Sequence, residues 1–211
     1  MKMQWKKLFT CLLSGILLLS LLMAASANQL SVKAAPAINN ANKKACWISF
    51  LDIEERLQDK TEKAFRTTVS AMYDNVLAYG MNTVIVHVRA MGDALYPSDY
   101  FPWSEYLTSD RRDPGYDPLQ IMLELAHAKN LQFEAWLNPY RLSRDNESTV
   151  SFKATSQYTR FLPYTIEYKA PGGQTCLSLD PARKETKDLI VNGIREIVSR
   201  YDVDGIHFDD Y

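Results

Sequence analysis

The run Asp204-Gly-Ile-His-Phe-Asp-Asp-Tyr211 carries an alternating apolar stretch straight onto two adjacent carboxylates, Asp209 and Asp210. Carboxyl groups at the C-terminal end of a buried parallel strand are where barrel enzymes keep groups that donate protons, accept them or attack a substrate. His207 lies two residues before Asp209 and shares its side of a regular strand. An earlier stretch, Asn82-Thr-Val-Ile-Val-His-Val-Arg89, alternates valines with His87 and Arg89. A third, Gln132-Phe-Glu-Ala-Trp-Leu-Asn138, offers Glu134, Trp136 and Asn138, and Tyr140 and Arg141 come directly after it. Such groups can move protons and hydrogen-bond a hydroxyl-rich or carboxylate-bearing ligand.

These residues need elements to hold them. Four strands are expected, at 46–50, 82–89, 132–138 and 205–209. Between them, Phe65, Val69, Met72, Val76 and Tyr79 recur at helical spacing over 62–79. Asp117 and Pro118 open a second helix reaching Lys129, with Leu119, Met122, Leu123 and Ala126 on its stripe. Asp180 and Pro181 introduce a third over 183–201, with Ile190, Ile194, Ile197 and Val198 on one side. Strands alternating with helices predict βαβ units and a parallel sheet. The long connections, 90–117 and 139–179, leave the C-terminal ends of strands, whereas the returns at 130–131 and 202–204 are short. That asymmetry fits a barrel that grows its ligand loops on one face. A doubly wound nucleotide fold would place a glycine-rich turn after the first strand, and Leu51-Asp-Ile-Glu-Glu55 has no glycine.

Alternation sorts the strand side chains into two faces. The apolar set, including Val84, Val86, Val88, Phe133, Ala135, Leu137, Ile206 and Phe208, must pack under helices. The barrel interior then receives Ser49, His87, Arg89, Glu134, Trp136, Asn138, His207 and Asp209. Glu134 lies in mid-strand, where an ion pair with Arg89 competes with any catalytic role. Asp209 is the carboxylate aimed at a ligand, and Asp210 orients neighbours or caps the next helix. In the loop after the second strand, Tyr96, Tyr100, Phe101, Trp103 and Tyr106 are interleaved with Asp93, Asp99 and Glu105. They can stack on a ligand or form a cluster of their own.

The remaining regions set the context. Lys2, Lys6 and Lys7 precede an apolar run over 8–25, and Ala25-Ser-Ala27 and Val32-Lys-Ala34 offer cleavage sites. Residues 1–27 therefore read as a secretory signal, with a retained membrane anchor as the alternative. No lipobox surrounds Cys11 or Cys46. Residues 28–44 read as a linker and 45–211 as the folded domain. The expected location is secreted or cell-envelope, with membrane contact only through the signal. Formal net charge is −1, which gives no electrostatic case for nucleic acid. Cys46 and Cys176 fall at opposite ends of a barrel and are expected to stay unpaired. No metal site and no cofactor are expected.

Five ordered motifs carry a resemblance. They are the run from Asn82 to Ser98, Pro114-Gly-Tyr-Asp-Pro-Leu119, Ala135-Trp-Leu-Asn-Pro-Tyr-Arg141, Leu179-Asp-Pro181, and Asp204 to Tyr211. Together they resemble the glycosyl-hydrolase-like family 10 domain of bacteria, over residues 44–211. The resemblance implies an exported (β/α)8 barrel and hydrolysis of an extracytoplasmic polysaccharide, with cell-wall glycan the expected partner. Asp209 would serve as one carboxylate of a pair, with Asp210 beside it. His87, Arg89, Asp93, Tyr96, Trp103, Trp136, Asn138, Tyr140, Arg141 and His207 are the candidate substrate contacts.

A retaining or inverting glycosidase needs a second carboxyl group across the bond. Adjacent strand residues point to opposite faces, so Asp210 is a poor second and a later strand is expected to supply it. The fold expected for 45–211 is accordingly α/β, the first half of a TIM barrel, about four βα units, truncated after the fourth strand. An open sheet edge of that kind invites self-association, including the pairing of two half-barrels. A glycan-binding barrel without cleavage is the principal alternative. A metal-dependent deacetylase built on His87, His207 and Asp209 ranks below both.

Overall fold

The computed structural model describes residues 42–143, 161–170 and 172–209, all within one compact unit spanning Ala35–Tyr211. Strand β1 (Ala45–Ile48) leads into helix α1 (Phe50–Leu57) and helix α2 (Glu62–Ala78). Strand β2 (Thr83–Arg89), helix α3 (Pro118–Ala128) and strand β3 (Gln132–Leu137) come next. After a 3-10 turn at Leu162–Tyr164 come strands β4 (Thr165–Lys169) and β5 (Thr175–Leu179), then helix α4 (Lys184–Arg200) and strand β6 (Gly205–Phe208).

The main sheet is parallel and runs β1-β2-β3-β6, in chain order without a reversal. A doubly wound sheet reverses its order at a switch point, whereas a barrel adds each strand beside the last. The sheet also curls. β1 and β6 stand three strand spacings apart, about 14 Å if the sheet were flat. Yet the rings of Trp47 on β1 and His207 on β6 meet with centroids 6.0 Å apart. Only a concave sheet lets its two margins touch through side chains, so the four strands form part of a (β/α)8 barrel.

β2 is buried on both faces along its whole length, as a central parallel strand must be. Its valines join Phe133, Ala135, Leu137, Leu119, Met122 and Ile197 in the core under the helices. Phe65, Val69 and Val76 of α2 face that core as the spacing predicts, joined by Tyr73. Tyr79 is instead the exposed C-cap, where the chain turns away through Gly80 at φ 71°. On α4, Ile197 is buried and Val198 is exposed, which narrows the expected apolar stripe.

Two features go beyond the four strands and three helices expected from the sequence, the first being helix α1. The first strand ends at Ile48, because Ser49 caps α1: its side chain accepts from Asp52 N, and the Asp52 carboxylate accepts from Ser49 N at 2.8 Å. This capping box takes Ser49 out of the barrel-interior set. The second is the antiparallel pair β4 and β5 inside the long connection after β3.

Candidate functional site

The C-terminal ends of the sheet strands carry the candidate residues, but on different terms. His87, Trp136 and His207 stand in one cross-sheet row on the concave face. The His87 and Trp136 rings stack with centroids 3.3 Å apart, and His207 meets the edge of Trp136 at 6.0 Å. Asp209 comes directly after β6, exposed, with its backbone N–H reaching Leu137 O at 3.4 Å. Asp210 lies outside the described residues.

His87 is only 3% exposed, and both ring nitrogens are engaged. Phe50 N–H donates to Nδ1 at 3.3 Å, so the proton of the neutral ring sits on Nε2 and is donated to Asn138 Oδ1, also at 3.3 Å. Asn138 Nδ2 then donates to Ala90 O at 3.1 Å. Burial pushes the His87 pKa down to about 4, outweighing the bond to Asn138, while nearby Arg141 lowers it further and Asp209 opposes. The ring stays neutral at ordinary pH and braces α1, β2 and β3 together. His87 and Asn138, two of the expected ligand contacts, are buried and bonded to each other here.

Arg89 departs further. The β2–β3 register slips between His87 and Arg89, because Val88 O accepts from Leu95 N–H of the next loop at 3.0 Å. This bulge puts Arg89 level with Leu137 and Phe208, on the helix side. Its guanidinium, 1% exposed, lies 4.2 Å over the Phe101 ring and against α4 at Gly193. A Cβ on Gly193 would fall 2.5 Å from Arg89 Nη1. The partner of Glu134 is not Arg89 but Lys43, just before β1.

The loop after β2 is a core element. Tyr96, Phe101 and Tyr106 are buried, with Tyr96 against Tyr201 and Tyr106 against Phe50. Trp103 is partly buried against the same core and bridges Ala94. Asp93 is buried, and its Oδ1 accepts from Ala90 N and Met91 N at 3.0 and 2.9 Å. Desolvation raises its pKa while those bonds and Ser104 hold it down. Asp93 and Tyr96, also expected ligand contacts, are buried in this loop. Glu196 on α4 anchors the loop, accepting from Ser98 Oγ at 2.6 Å and Asp99 N at 2.7 Å. No local pattern signals this partnership across 97 or 98 positions.

Of the other expected contacts, Trp136, Tyr140, Arg141 and His207 are partly buried, and Asp209 is exposed. Residues 140–142 are pinned to β5: Leu142 N donates to Leu177 O at 3.1 Å, Leu179 N to Tyr140 O at 2.8 Å, and Arg141 bridges Ser178. The unexpected hairpin therefore fixes the backbone of two candidate contacts. Its signal is present in two β-rich stretches around Pro171-Gly-Gly173. Cys46 and Cys176 carry no disulfide. Among the described residues no cluster of His, Cys, Asp or Glu could hold a metal ion, and no helix is long and apolar enough to cross a membrane.

Residues 42–211 match the family described as glycosyl hydrolase-like 10. The chain is 38% identical to the glycosyl hydrolase YngK of Bacillus subtilis over 84% of its length and 34% of that protein. It is 40% identical to the glycosyl hydrolase DigH of Escherichia coli K12 over 65% of its length and 32% of that protein. The chain thus spans about a third of the length of the curated relatives it matches. Among solved structures, the maltogenic alpha-amylase AmyB of Thermotoga neapolitana aligns over 82% of this chain and 40% of that one, at 17% identity and a TM-score of 0.49.

Proposed function

The chain belongs to the glycosyl hydrolase-like 10 family, and from that premise we propose that it carries part of the active site of a glycoside hydrolase acting on an extracytoplasmic polysaccharide. Cell-wall glycan is the proposed substrate. The observation that carries the reading is the place of Asp209: an exposed carboxylate at the exit of β6, beside the concave face and near the buried His87. A carboxyl group there can protonate a leaving glycosidic oxygen, attack the sugar or activate water, according to its distance from a second carboxylate. Trp136 and Tyr140 offer aromatic surface to a sugar ring, and Arg141 a charged donor. Export rests on residues 1–27, which lie outside the described residues.

The test uses the full-length protein and its Asp209→Asn form on peptidoglycan and on peptide-free glycan strands. The expected result is release of reducing ends by the native protein and a roughly 10²–10⁴-fold loss in the variant, the usual weight of a proton-transferring group. Glycan binding without any release would support a binding barrel instead. Unchanged release by Asp209→Asn would remove Asp209 from the chemistry.

A further inference from the structure

Gly92 lies in the turn that leaves β2, buried and at φ 67°. That left-handed conformation is one reason for a glycine. The neighbouring loop supplies another. A Cβ on Gly92 would fall 2.4 Å from Leu142 Cδ2, well inside the ~3.5–4.0 Å at which carbon atoms pack. The missing side chain of Gly92 is therefore the seat of Leu142, which comes from the far side of α3 and β3.

Both sides of this contact are held. Asp93 Oδ1 closes the turn by accepting from Ala90 N at 3.0 Å and Met91 N at 2.9 Å, and Asn138 Nδ2 donates to Ala90 O at 3.1 Å. Leu142 is 2% exposed, and its N–H donates to Leu177 O at 3.1 Å. Leu177 N in turn donates to Ser143 Oγ at 2.8 Å. Tyr140 and Arg141 join the end of β3 to this anchored leucine, and Tyr140 O accepts from Leu179 N at 2.8 Å and from Ser178 Oγ at 3.2 Å. One contact between a side chain and a bare Cα thus sets how closely the β4–β5 hairpin and residues 140–141 approach the exit of β2.

We propose that Gly92 is a positioning residue for glycan binding: the space it leaves for Leu142 fixes where Tyr140 and Arg141 stand. The role rests on the reading of Tyr140 and Arg141 as glycan contacts. Gly92 itself touches no part of the glycan. Contacts that hold substrate and transition state alike act on KM and spare kcat. Loss of the seat therefore falls on KM.

The experiment is a double-mutant cycle in the full-length protein, with peptide-free glycan strands as substrate. Gly92→Ala should raise KM about 5–10-fold, the weight of a lost polar contact, with kcat within about twofold. Leu142→Ala removes Cδ2 and makes room for that methyl. Adding Gly92→Ala on the Leu142→Ala background should then raise KM by less than about twofold more. Thermal midpoints read the same cycle without activity. Strain at φ 67° is equal in both backgrounds, so only the clash makes Gly92→Ala lower the midpoint more when Leu142 is present. If Gly92→Ala alone does not fold, the double variant is expected to regain a folded state.

Additive midpoints overturn the seat, as does a double variant that fails to fold along with Gly92→Ala, since the φ of Gly92 then accounts for the glycine. Unchanged KM in folded Gly92→Ala, or a loss confined to kcat, overturns the positioning role. If Tyr140→Ala and Arg141→Ala both leave KM unchanged, it is the reading of these two residues as glycan contacts that falls, and the midpoints still report whether Leu142 sits on Gly92.

Discussion

The exits of β2 and β6 carry the same kinds of residue, a histidine and then a charged group two positions on, yet they have opposite fates. At β2, His87 is enclosed and Arg89 is turned by a bulge into the helix layer. At β6, His207 is half-buried and Asp209 is exposed. The difference lies in the neighbours. β2 is paired on both sides, and the loop after it folds back to take the Val88 carbonyl. Among the described strands β6 pairs with β3, and Asp209 N–H reaches Leu137 O at its end. Two similar motifs thus differ in their surroundings, a structural brace at β2 and a candidate reacting edge at β6.

That comparison can be broken by substitution. The largest effect is expected at His87. His87→Ala removes a buried ring and leaves Phe50 N–H and Asn138 Oδ1 unmatched, at a cost of about 3–5 kcal/mol. Urea unfolding checks it, and a loss under about 1 kcal/mol would mean that the β2 exit is not a brace.

The pH dependence sharpens the same point. The folded pKa of His87 is pushed down to about 4, below the unfolded value near 6.5. Its contribution is therefore intact above pH 6.5 and is lost as pH falls toward 4, where the unfolded chain takes a proton that the folded one refuses. The loss amounts to about 3 kcal/mol across that window. In His87→Gln this part of the acid sensitivity should vanish, as the difference between pH 7 and pH 4.5 unfolding midpoints would show.

Smaller effects test the support around the bulge. Gly193→Ala drives a methyl into Arg89 and Phe101, costing about 1–3 kcal/mol of overpacking. A helix-propensity gain of about 1 kcal/mol offsets part of it. Ser49→Ala removes the cap of α1 and is expected to cost about 1 kcal/mol. Thermal melts rank the two. If Gly193→Ala is net stabilising, Arg89 does not lie where the bulge puts it.

Much of this is legible in the sequence. The valine alternation of β2, the stripe of α3 and its Asp117 cap all follow from local periodicity, and the structure shows each. The side of Arg89 is not legible, because alternation holds only while the ladder stays regular, and a loop amide seven residues beyond Val88 breaks it. The loop aromatics read equally well as sugar contacts or as core, since both want large rings. Burial of Tyr96 and Phe101 depends on Glu196 and Tyr201, which lie about a hundred positions on. Helix α1 has a signal in Ser49 and Asp52, hidden because a strand of apolar residues runs straight into it.

The most direct test of the division sets Asp209→Asn beside His87→Gln in the full-length protein at pH 7, measuring unfolding midpoint and glycan release per folded molecule. The account predicts that Asp209→Asn keeps the midpoint and loses release, while His87→Gln lowers the midpoint and keeps release per folded molecule. The reverse pattern would contradict it, placing the chemistry at β2 and the brace at β6.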